Sequence, residues 1–100
     1  MRLLFDWNPR KAESNLAKHG VSFDEAMTVF EDADALTIFD EDHSDDEDRW
    51  ITLGESAAGK LLLVVHTHVD IAEDMALIRV ISARPPTRKE TGQYRNRRET

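Results

Sequence analysis

The chain has 100 residues, of which 40% are hydrophobic and 33% charged, and this composition is typical of one small globular domain. It contains no cysteine, which excludes disulfides and thiolate metal sites and favours a reducing cytoplasm. The longest apolar run, residues 61–65, is far shorter than the roughly 20 residues of a membrane-spanning helix. We therefore expect residues 1–100 to form a single cytoplasmic domain without an export signal.

The net charge of −7 is distributed unevenly along the chain. Residues 1–78 carry 6 Lys or Arg and 18 Asp or Glu, whereas residues 79–100 carry 7 and 2. A basic segment after an acidic body suits a polyanion or an acidic partner chain, but a plain solvated helix has the same composition. Charge alone leaves these interpretations open.

The first element is a strand near residues 2–7, and a helix follows it. Asn8 can cap this helix, and Pro9 fits its first position, where a missing N–H removes no intrahelical hydrogen bond. Gly20 favours the left-handed conformation that ends a helix, so we expect the helix to end at about residue 19.

Helical spacing assigns two faces to this first helix. Ala12 and Leu16 are expected to face the core. The opposite side is expected to carry Lys11, Asn15 and Lys18. This arrangement predicts an exposed cationic surface.

A second helix is predicted to begin at Ser22, because Ser22 and Glu25 have the reciprocal spacing of a capping box. The apolar residues that recur with helical spacing after it are Phe23, Ala26, Met27 and Phe30. A strand is predicted next, near residues 35–40.

An acidic segment follows, in which seven of the nine residues 40–48 are Asp or Glu. Its like charges predict a mobile, solvent-exposed connection that repels polyanions from its edge of the sheet and directs them to the opposite side. The segment lacks the glycine that an EF-hand needs at its sixth position, which excludes that kind of calcium site.

Three further strands are predicted near residues 49–54, 60–67 and 76–84. Residues 68–74, before the last of these strands, are expected to form a polar connection. Pro85 and Pro86 end the last strand, and a C-terminal helix is predicted from about residue 87 to 98. The fold class is therefore α+β: one antiparallel sheet of four to five strands, with two helices after the first strand and one at the C-terminus.

Two histidines have the His-x-His spacing that can bind a metal ion. His66 and His68 lie two residues apart near the end of the fourth predicted strand, hence on one face. A third ligand would have to come from His19, His43 or the acidic segment, and none of these has a diagnostic spacing. The sequence therefore favours a protein without a metal ion.

A group of arginines begins, interrupts or follows the apolar strand segments. It consists of Arg49, Arg79, Arg84 and Arg88. Because arginine keeps its charge when half-buried, each must meet a carboxylate or face a cleft that binds an anion. Arg79 shares a strand face with Leu77 and Ile81, where an apolar residue would stabilise the sheet more. On the last helix, Arg88, Arg95 and Arg98 share one side and Tyr94 lies one position away, and arginines beside an aromatic residue suit a single-stranded nucleic acid.

An ordered series of residues along the chain has the pattern of a known family. Those of its first third are Phe5, Trp7, Asn8, Pro9, Lys11, Asn15, Leu16, Lys18, His19, Gly20, Val21, Ser22, Phe23, Glu25, Ala26, Val29 and Phe30. Those of the remainder are Arg49, Ile51, Gly54, Leu62, Val64, Val65, His66, Thr67, Arg79, Ile81, Ser82, Ala83, Arg84, Arg88, Glu90 and Tyr94. These ordered blocks, which cover about residues 5–95, resemble the BrnT family of toxins.

This resemblance implies a small bacterial ribonuclease toxin with a RelE-like fold, made beside a DNA-binding antitoxin called BrnA. It also implies that the complex of the two proteins, more than the toxin alone, represses their shared operon. The chain departs from the family pattern at Pro85 and Pro86, at Gly92 and in the longer connection over residues 68–76.

For such a toxin, RNA cleavage without a metal ion or other cofactor uses the 2′-hydroxyl of the substrate as nucleophile. The candidate catalytic residues are Arg79, Arg84 and Arg49, which would stabilise the phosphate, and His19 and His66, which would transfer protons. The candidate RNA-binding residues are Lys11, Lys18, Arg88 and Tyr94, the last by stacking on a base. The alternative is a non-catalytic toxin-like module that acts as an antitoxin-bound co-repressor and uses its arginines only to dock an acidic partner segment.

Overall fold

The computed structural model describes residues 1–43 and 47–99 of the chain. Its strands are β1 (Arg2–Trp7), β2 (Leu36–Phe39), β3 (Trp50–Glu55), β4 (Leu61–His66), β5 (Val69–Ala72) and β6 (Met75–Arg84). Its helices are α1 (Pro9–His19), α2 (Phe23–Met27) and α3 (Arg88–Glu99), with 3-10 turns at Thr28–Glu31 and Glu41–His43. The α+β class, with two helices after the first strand and one at the C-terminus, is confirmed.

The strands form one sheet in the order β1-β6-β4-β3-β2, and β5 extends it by pairing with β6. The pairs are antiparallel except for β1 and β6, which run parallel. The expectation of a fully antiparallel sheet is wrong for this pair. A short hairpin forces antiparallel pairing, but β1 and β6 are connected through the rest of the sheet, which leaves their relative direction free.

The prediction of a polar connection over residues 68–74 is also wrong. Val69–Ala72 form β5, which pairs antiparallel with the start of β6 through a hairpin. Val69 and Ile71 alternate with polar neighbours, which is the pattern of a short strand with one apolar face. Both side chains are exposed.

The faces predicted for α1 are wrong at two adjacent positions: Asn15 is buried, and Leu16 is 52% exposed. The Asn15 amide donates to the carbonyl oxygens of Val21 (3.0 Å) and Ala83 (2.8 Å), and its Oδ1 accepts from the N–H of Ala83 (3.1 Å). Because β1 pairs with β6 only as far as Val80, the Asn15 side chain replaces a neighbouring strand for the end of β6. This bond set turns the polar residue inward.

The main core lies between one face of the sheet and the helices α1 and α2. Its buried residues are Val21, Phe23, Ala26, Val29, Leu62, Val64, Val80 and Ala83. A smaller core on the other face fixes α3, where Tyr94 packs on Leu53 and Leu63. The Tyr94 hydroxyl also donates to Oδ2 of Asp32 at 2.6 Å. No helix in the described part of the chain is long and apolar enough to cross a membrane.

His66 lies inside the protein as a neutral imidazole with 1% of its surface exposed. Its Nδ1 is 3.0 Å from the carbonyl oxygen of Thr67, and its Nε2 is 2.7 Å from the hydroxyl of Thr52. Because a carbonyl only accepts, Nδ1 donates to Thr67 and Nε2 accepts from Thr52. Burial is the main cause that lowers the pKa of His66 from 6.5 to about 4.

This buried imidazole predicts that the fold is sensitive to acid. Between pH 6.5 and 4 the unfolded chain binds a proton that the folded chain does not, so stability that is complete above pH 6.5 is lost as the pH falls toward 4. The shift corresponds to a loss of about 3 kcal/mol. We expect His66→Gln, which does not titrate, to abolish most of this loss in urea unfolding at neutral pH and near pH 4. The exposed His43→Gln is the control and should retain it. Equal acid sensitivity in both variants would contradict the assignment.

Candidate active site

A β-bulge in β6 determines which side chains this strand presents on each face. Val65 is opposite Ser82, but the next residue of β4, His66, is opposite Val80, so β6 contains one extra residue at Ile81. Arg79 and Arg84 are separated by five positions and would point to opposite faces of a regular strand. The bulge places both on the face away from the main core, and bulges of this kind often re-aim side chains at active sites.

Two clefts border the C-terminal half of β6. The first, of about 320 Å³, lies between α1 and β6 and is lined by Arg10, Lys11, Ser14, Asn15, Lys18, His19, Ile81 and Ser82. The second, of about 450 Å³, is lined by Asp40, Asp42, His43, Arg49, Ile51, Leu63, Val65, Ile81, Ser82 and Arg84. Ile81 and Ser82 line both clefts, which therefore adjoin at these two residues, and we call the two clefts together the β6 groove.

The α1 side of the groove brings together three residues selected from the sequence: Lys11, Lys18 and His19. Arg10 lies beside them and was missed, although Arg10, Ser14 and Lys18 recur every four residues and so share a helical face. The local sequence explains why this surface is well defined. Asn8 Oδ1 accepts from the N–H groups of Arg10 and Lys11, and Gly20 ends the helix with φ +70°. Cationic side chains therefore line one wall of the groove.

Arg84 lies in the groove and is held by a carboxylate. Its Nη1 and Nη2 donate to Oε1 and Oε2 of Glu90 at 2.9 and 3.0 Å, and Nη1 also donates to the carbonyl oxygen of Pro85 at 3.2 Å. The hydrogen bond from Arg84 is the largest cause that lowers the pKa of Glu90 from 4.5 to about 2, and the same bond raises the pKa of Arg84. Arg84 is thus a permanent, oriented cation.

Arg79 lies two residues before Ile81 on the same face of β6. Its Nε and Nη2 donate to Oδ1 and Oδ2 of Asp6 at 3.3 and 3.4 Å across the parallel β1–β6 pair. The side chains of Arg79 and Asp6 are 58% and 43% exposed. The Arg79 side chain therefore faces solvent, so its charge is not buried among apolar residues.

The acidic segment lies beside the arginines, contrary to the prediction that it lies at the opposite edge. Asp40 and Asp42 line the same cleft as Arg49 and Arg84. The pairing of β2 with β3 explains this position, because the N–H of Asp40 donates to the carbonyl oxygen of Arg49 at 2.9 Å and so closes the connection next to Arg49. Residues 44–46 of the predicted mobile segment lie outside the described residues.

Two other candidates lie in the protein interior. His66 is enclosed in the main core, and Tyr94 is 4% exposed in the smaller core, with its hydroxyl bound to Asp32. The structure therefore brings neither side chain to the surface of the groove. Arg88, by contrast, is exposed at the first residue of α3.

The two histidines of the His-x-His motif have separate partners. Nε2 of His66 accepts from Thr52, whereas Nε2 of the exposed His68 lies 3.1 Å from Oδ1 of Asp70. Within residues 1–43 and 47–99, no three His, Asp or Glu side chains are grouped so that they could hold a metal ion. The described residues thus give the metal-site alternative no ligand set.

Comparison with known proteins identifies a family and a solved structure of similar fold. The family model of the ribonuclease toxin BrnT of type II toxin–antitoxin systems matches residues 7–90. The fold is similar to that of the Brucella abortus ribonuclease toxin BrnT, known from a crystal structure at 1.1 Å resolution, with a TM-score of 0.58 and 20% identity over 88% of this chain and 100% of that chain. A search of curated proteins finds no match. The family match covers most of the chain, which therefore belongs to the BrnT family of ribonuclease toxins of type II toxin–antitoxin systems.

Proposed function

We propose that this protein arrests growth by cleaving RNA in the β6 groove without a metal ion. The observation that carries the proposal is the bulge of β6, which turns Arg79, Ser82 and Arg84 to the same face. Ser82 and Arg84 line the groove, whose α1 wall is cationic, and Arg79 precedes Ser82 by three residues on the same strand. An RNA backbone needs cations along its path and oriented donors at the phosphate that reacts. The groove contains both.

In the proposed reaction, the 2′-hydroxyl oxygen of the RNA attacks the adjacent phosphorus. A 2′-O–P bond forms as the P–O5′ bond breaks, which gives a 2′,3′-cyclic phosphate and a free 5′-hydroxyl. Arg84, Arg79 and Arg49 stabilise the charge on the phosphate oxygens, because guanidinium groups present paired donors to them. His19 lines the groove and is the proton-transfer group of the proposal: it accepts the proton of the 2′-hydroxyl and gives a proton to the leaving O5′. We assign His66 a structural role instead, because its buried nitrogens both have protein partners.

The remaining basic residues bind the RNA backbone in this proposal. Lys11 and Lys18 lie on the α1 wall with Arg10. Arg88 is exposed at the start of α3, four residues after Arg84 in the chain. We assign Tyr94 no contact with the RNA, because its buried ring has no accessible face on which a base could stack.

We further propose that a BrnA-like antitoxin neutralises the toxin in the cytoplasm, and that operator DNA is bound only through the complex. A non-catalytic co-repressor is the second candidate. The observation in its favour is that Arg79 and Arg84 already have carboxylate partners, as a purely structural arginine would. In that function the groove would dock a chain and leave RNA intact.

Cleavage of RNA by the purified protein in the presence of EDTA tests the proposal. We expect cleavage in EDTA, and we expect Arg84→Ala to reduce its rate on the order of 10²-fold or more, since a donor to the reacting phosphate is lost. Arg2→Ala removes an exposed cation at the start of β1 and serves as the matched control, with an unchanged rate. Intact RNA with and without EDTA would support the co-repressor, and activity that EDTA abolishes would indicate a metal-dependent hydrolase.

A further inference from the structure

We propose that Glu90 is a positioning residue of the active site, which holds the Arg84 guanidinium in the orientation that binds the reacting phosphate. The inference rests on the proposed ribonuclease function and extends it to a residue of α3 that does not itself touch the substrate. It assigns the start of α3 a role in the reaction.

The geometry of the pair is that of a rigid fork. Both Nη atoms of Arg84 donate to both carboxylate oxygens of Glu90, at 2.9 and 3.0 Å, and the carbonyl oxygen of Pro85 takes a further hydrogen of Nη1. An arginine has several rotatable bonds, and an unrestrained one would sample many orientations at the mouth of a cleft. The fork and the carbonyl together restrict Arg84 to one.

Glu90 is itself fixed by the backbone of α3. Oε1 of Glu90 accepts from the N–H of Thr87 at 2.8 Å, and the Thr87 hydroxyl accepts from the N–H of Glu90 at 3.2 Å, which is the reciprocal bonding of a capping box. Farther along α3, Tyr94 is packed in the smaller core and donates to Asp32. The orientation of Arg84 is thus transmitted from a helix that is anchored at two points.

Arg84 retains donors for a ligand in this arrangement. A guanidinium has five N–H groups, and the hydrogen bonds to Glu90 and Pro85 use three of them. Within the described residues, the N–H of Nε and one N–H of Nη2 make no hydrogen bond. These donors are adjacent on one edge of the guanidinium plane, and adjacent donors are what a phosphate accepts in a bidentate contact.

The pair has a second consequence, because the Glu90 carboxylate reduces the net positive charge that the RNA meets at Arg84. The carboxylate repels the RNA backbone and so weakens binding. Because it also orients the arginine toward the reacting phosphate, it can still raise the rate. Loss of the Glu90 charge is therefore expected to lower kcat without raising KM. A merely structural role would lower the melting temperature and the active fraction.

A double-mutant cycle tests the inference. We expect Glu90→Gln to lower kcat about 10-fold to 10²-fold, with KM unchanged or lower, because the arginine is no longer locked in the fork. In an Arg84→Lys background, where residue 84 has no guanidinium for Glu90 to orient, the same change should have no effect on kcat. Thr87→Ala is the matched control: it removes the hydroxyl that accepts from the N–H of Glu90 but keeps the backbone N–H that donates to Oε1 and the bonds to Arg84, so its kcat should stay close to that of the unmodified protein.

The possible failures are distinguishable. An equal loss of kcat from Glu90→Gln in both backgrounds, or a loss in Thr87→Ala as large as in Glu90→Gln, would overturn the positioning role and leave the ribonuclease proposal intact. Absence of cleavage by the unmodified protein would instead overturn the proposed function. Melting temperatures are recorded for every variant. If Glu90→Gln melts far below the other variants, Glu90→Asp replaces it, because Asp keeps the charge but has a shorter side chain. We expect Glu90→Asp to retain only part of kcat. A kcat equal to that of the unmodified protein would then contradict the inference.

Discussion

Arg79→Ala is expected to abolish RNA cleavage and growth arrest on expression while it leaves the melting temperature nearly unchanged. The Arg79 and Asp6 side chains are 58% and 43% exposed, and exposed ion pairs contribute only about 0–1 kcal/mol to stability. Loss of a donor to the reacting phosphate, in contrast, lowers the rate on the order of 10²-fold or more. The variant therefore separates the catalytic role from the structural one. Cleavage assays, growth curves and thermal melts of the same preparations measure both.

Asp6→Asn provides the complementary variant for this test. It removes the carboxylate partner of Arg79 but keeps the guanidinium and the volume of the side chain at position 6. If Arg79 binds phosphate, Asp6→Asn should retain cleavage, whereas a purely structural pair predicts the same phenotype for both variants. A buried pair would have predicted a loss of about 3–5 kcal/mol for Arg79→Ala. A steep fall of the melting temperature together with loss of toxicity would contradict the catalytic assignment.

Helix limits could be predicted from the sequence because they depend on residues close to one another. Asn8 and Ser22 both cap their helices as expected, with side-chain oxygens that accept from nearby N–H groups. Gly20 has the left-handed conformation that the end of α1 requires. The five predicted strands are present for the same reason, since each is a short apolar segment between turn signals.

Side-chain direction could not be predicted at several positions because it depends on distant parts of the chain. The period-2 rule places Arg79 and Arg84 on opposite faces, and only the bulge opposite Val65 and His66 reverses this. The sequence contains no local signal for that bulge. The direction of the Tyr94 ring also depends on a distant residue. From the sequence alone, the last helix could present this ring to solvent or to the sheet, and only the contact with Leu53 shows that it faces the sheet.

The arginines show how two alternatives can both hold. Sequence reasoning offered a carboxylate partner or an anion-binding cleft for each of them. Arg84 has both: the fork to Glu90 orients it, and the cleft leaves part of its guanidinium accessible. Strand periodicity could not predict that Glu90, six residues after Arg84 and on a helix, is its partner. The spacing of Thr87 and Glu90, however, is that of a capping box and could have indicated where the Glu90 carboxylate is held.

Asn15→Ala is expected to destabilise the protein by about 3 kcal/mol or more, and Leu16→Ala by less than about 1 kcal/mol, which reverses the order that helical spacing predicts. The Asn15 amide makes three buried hydrogen bonds, to the carbonyl oxygen of Val21 and to both backbone groups of Ala83. Truncation leaves these groups without partners, and each buried unpaired group costs about 1–3 kcal/mol. Leu16 loses little because its side chain is already largely exposed.

The same bonds join α1 to β6, so Asn15→Ala should also lower RNA cleavage by displacing Lys18 and His19 from the groove. Asn15→Asp distinguishes bond pattern from volume. It keeps an acceptor for the N–H of Ala83 but places a carboxylate oxygen against two carbonyl oxygens, so we expect a destabilisation at least as large as that of Asn15→Ala. Urea unfolding of the three variants at neutral pH gives the free energies. A loss below about 1 kcal/mol in Asn15→Ala would show that α1 is held by its other contacts, and that the amide does not replace a strand at the end of β6.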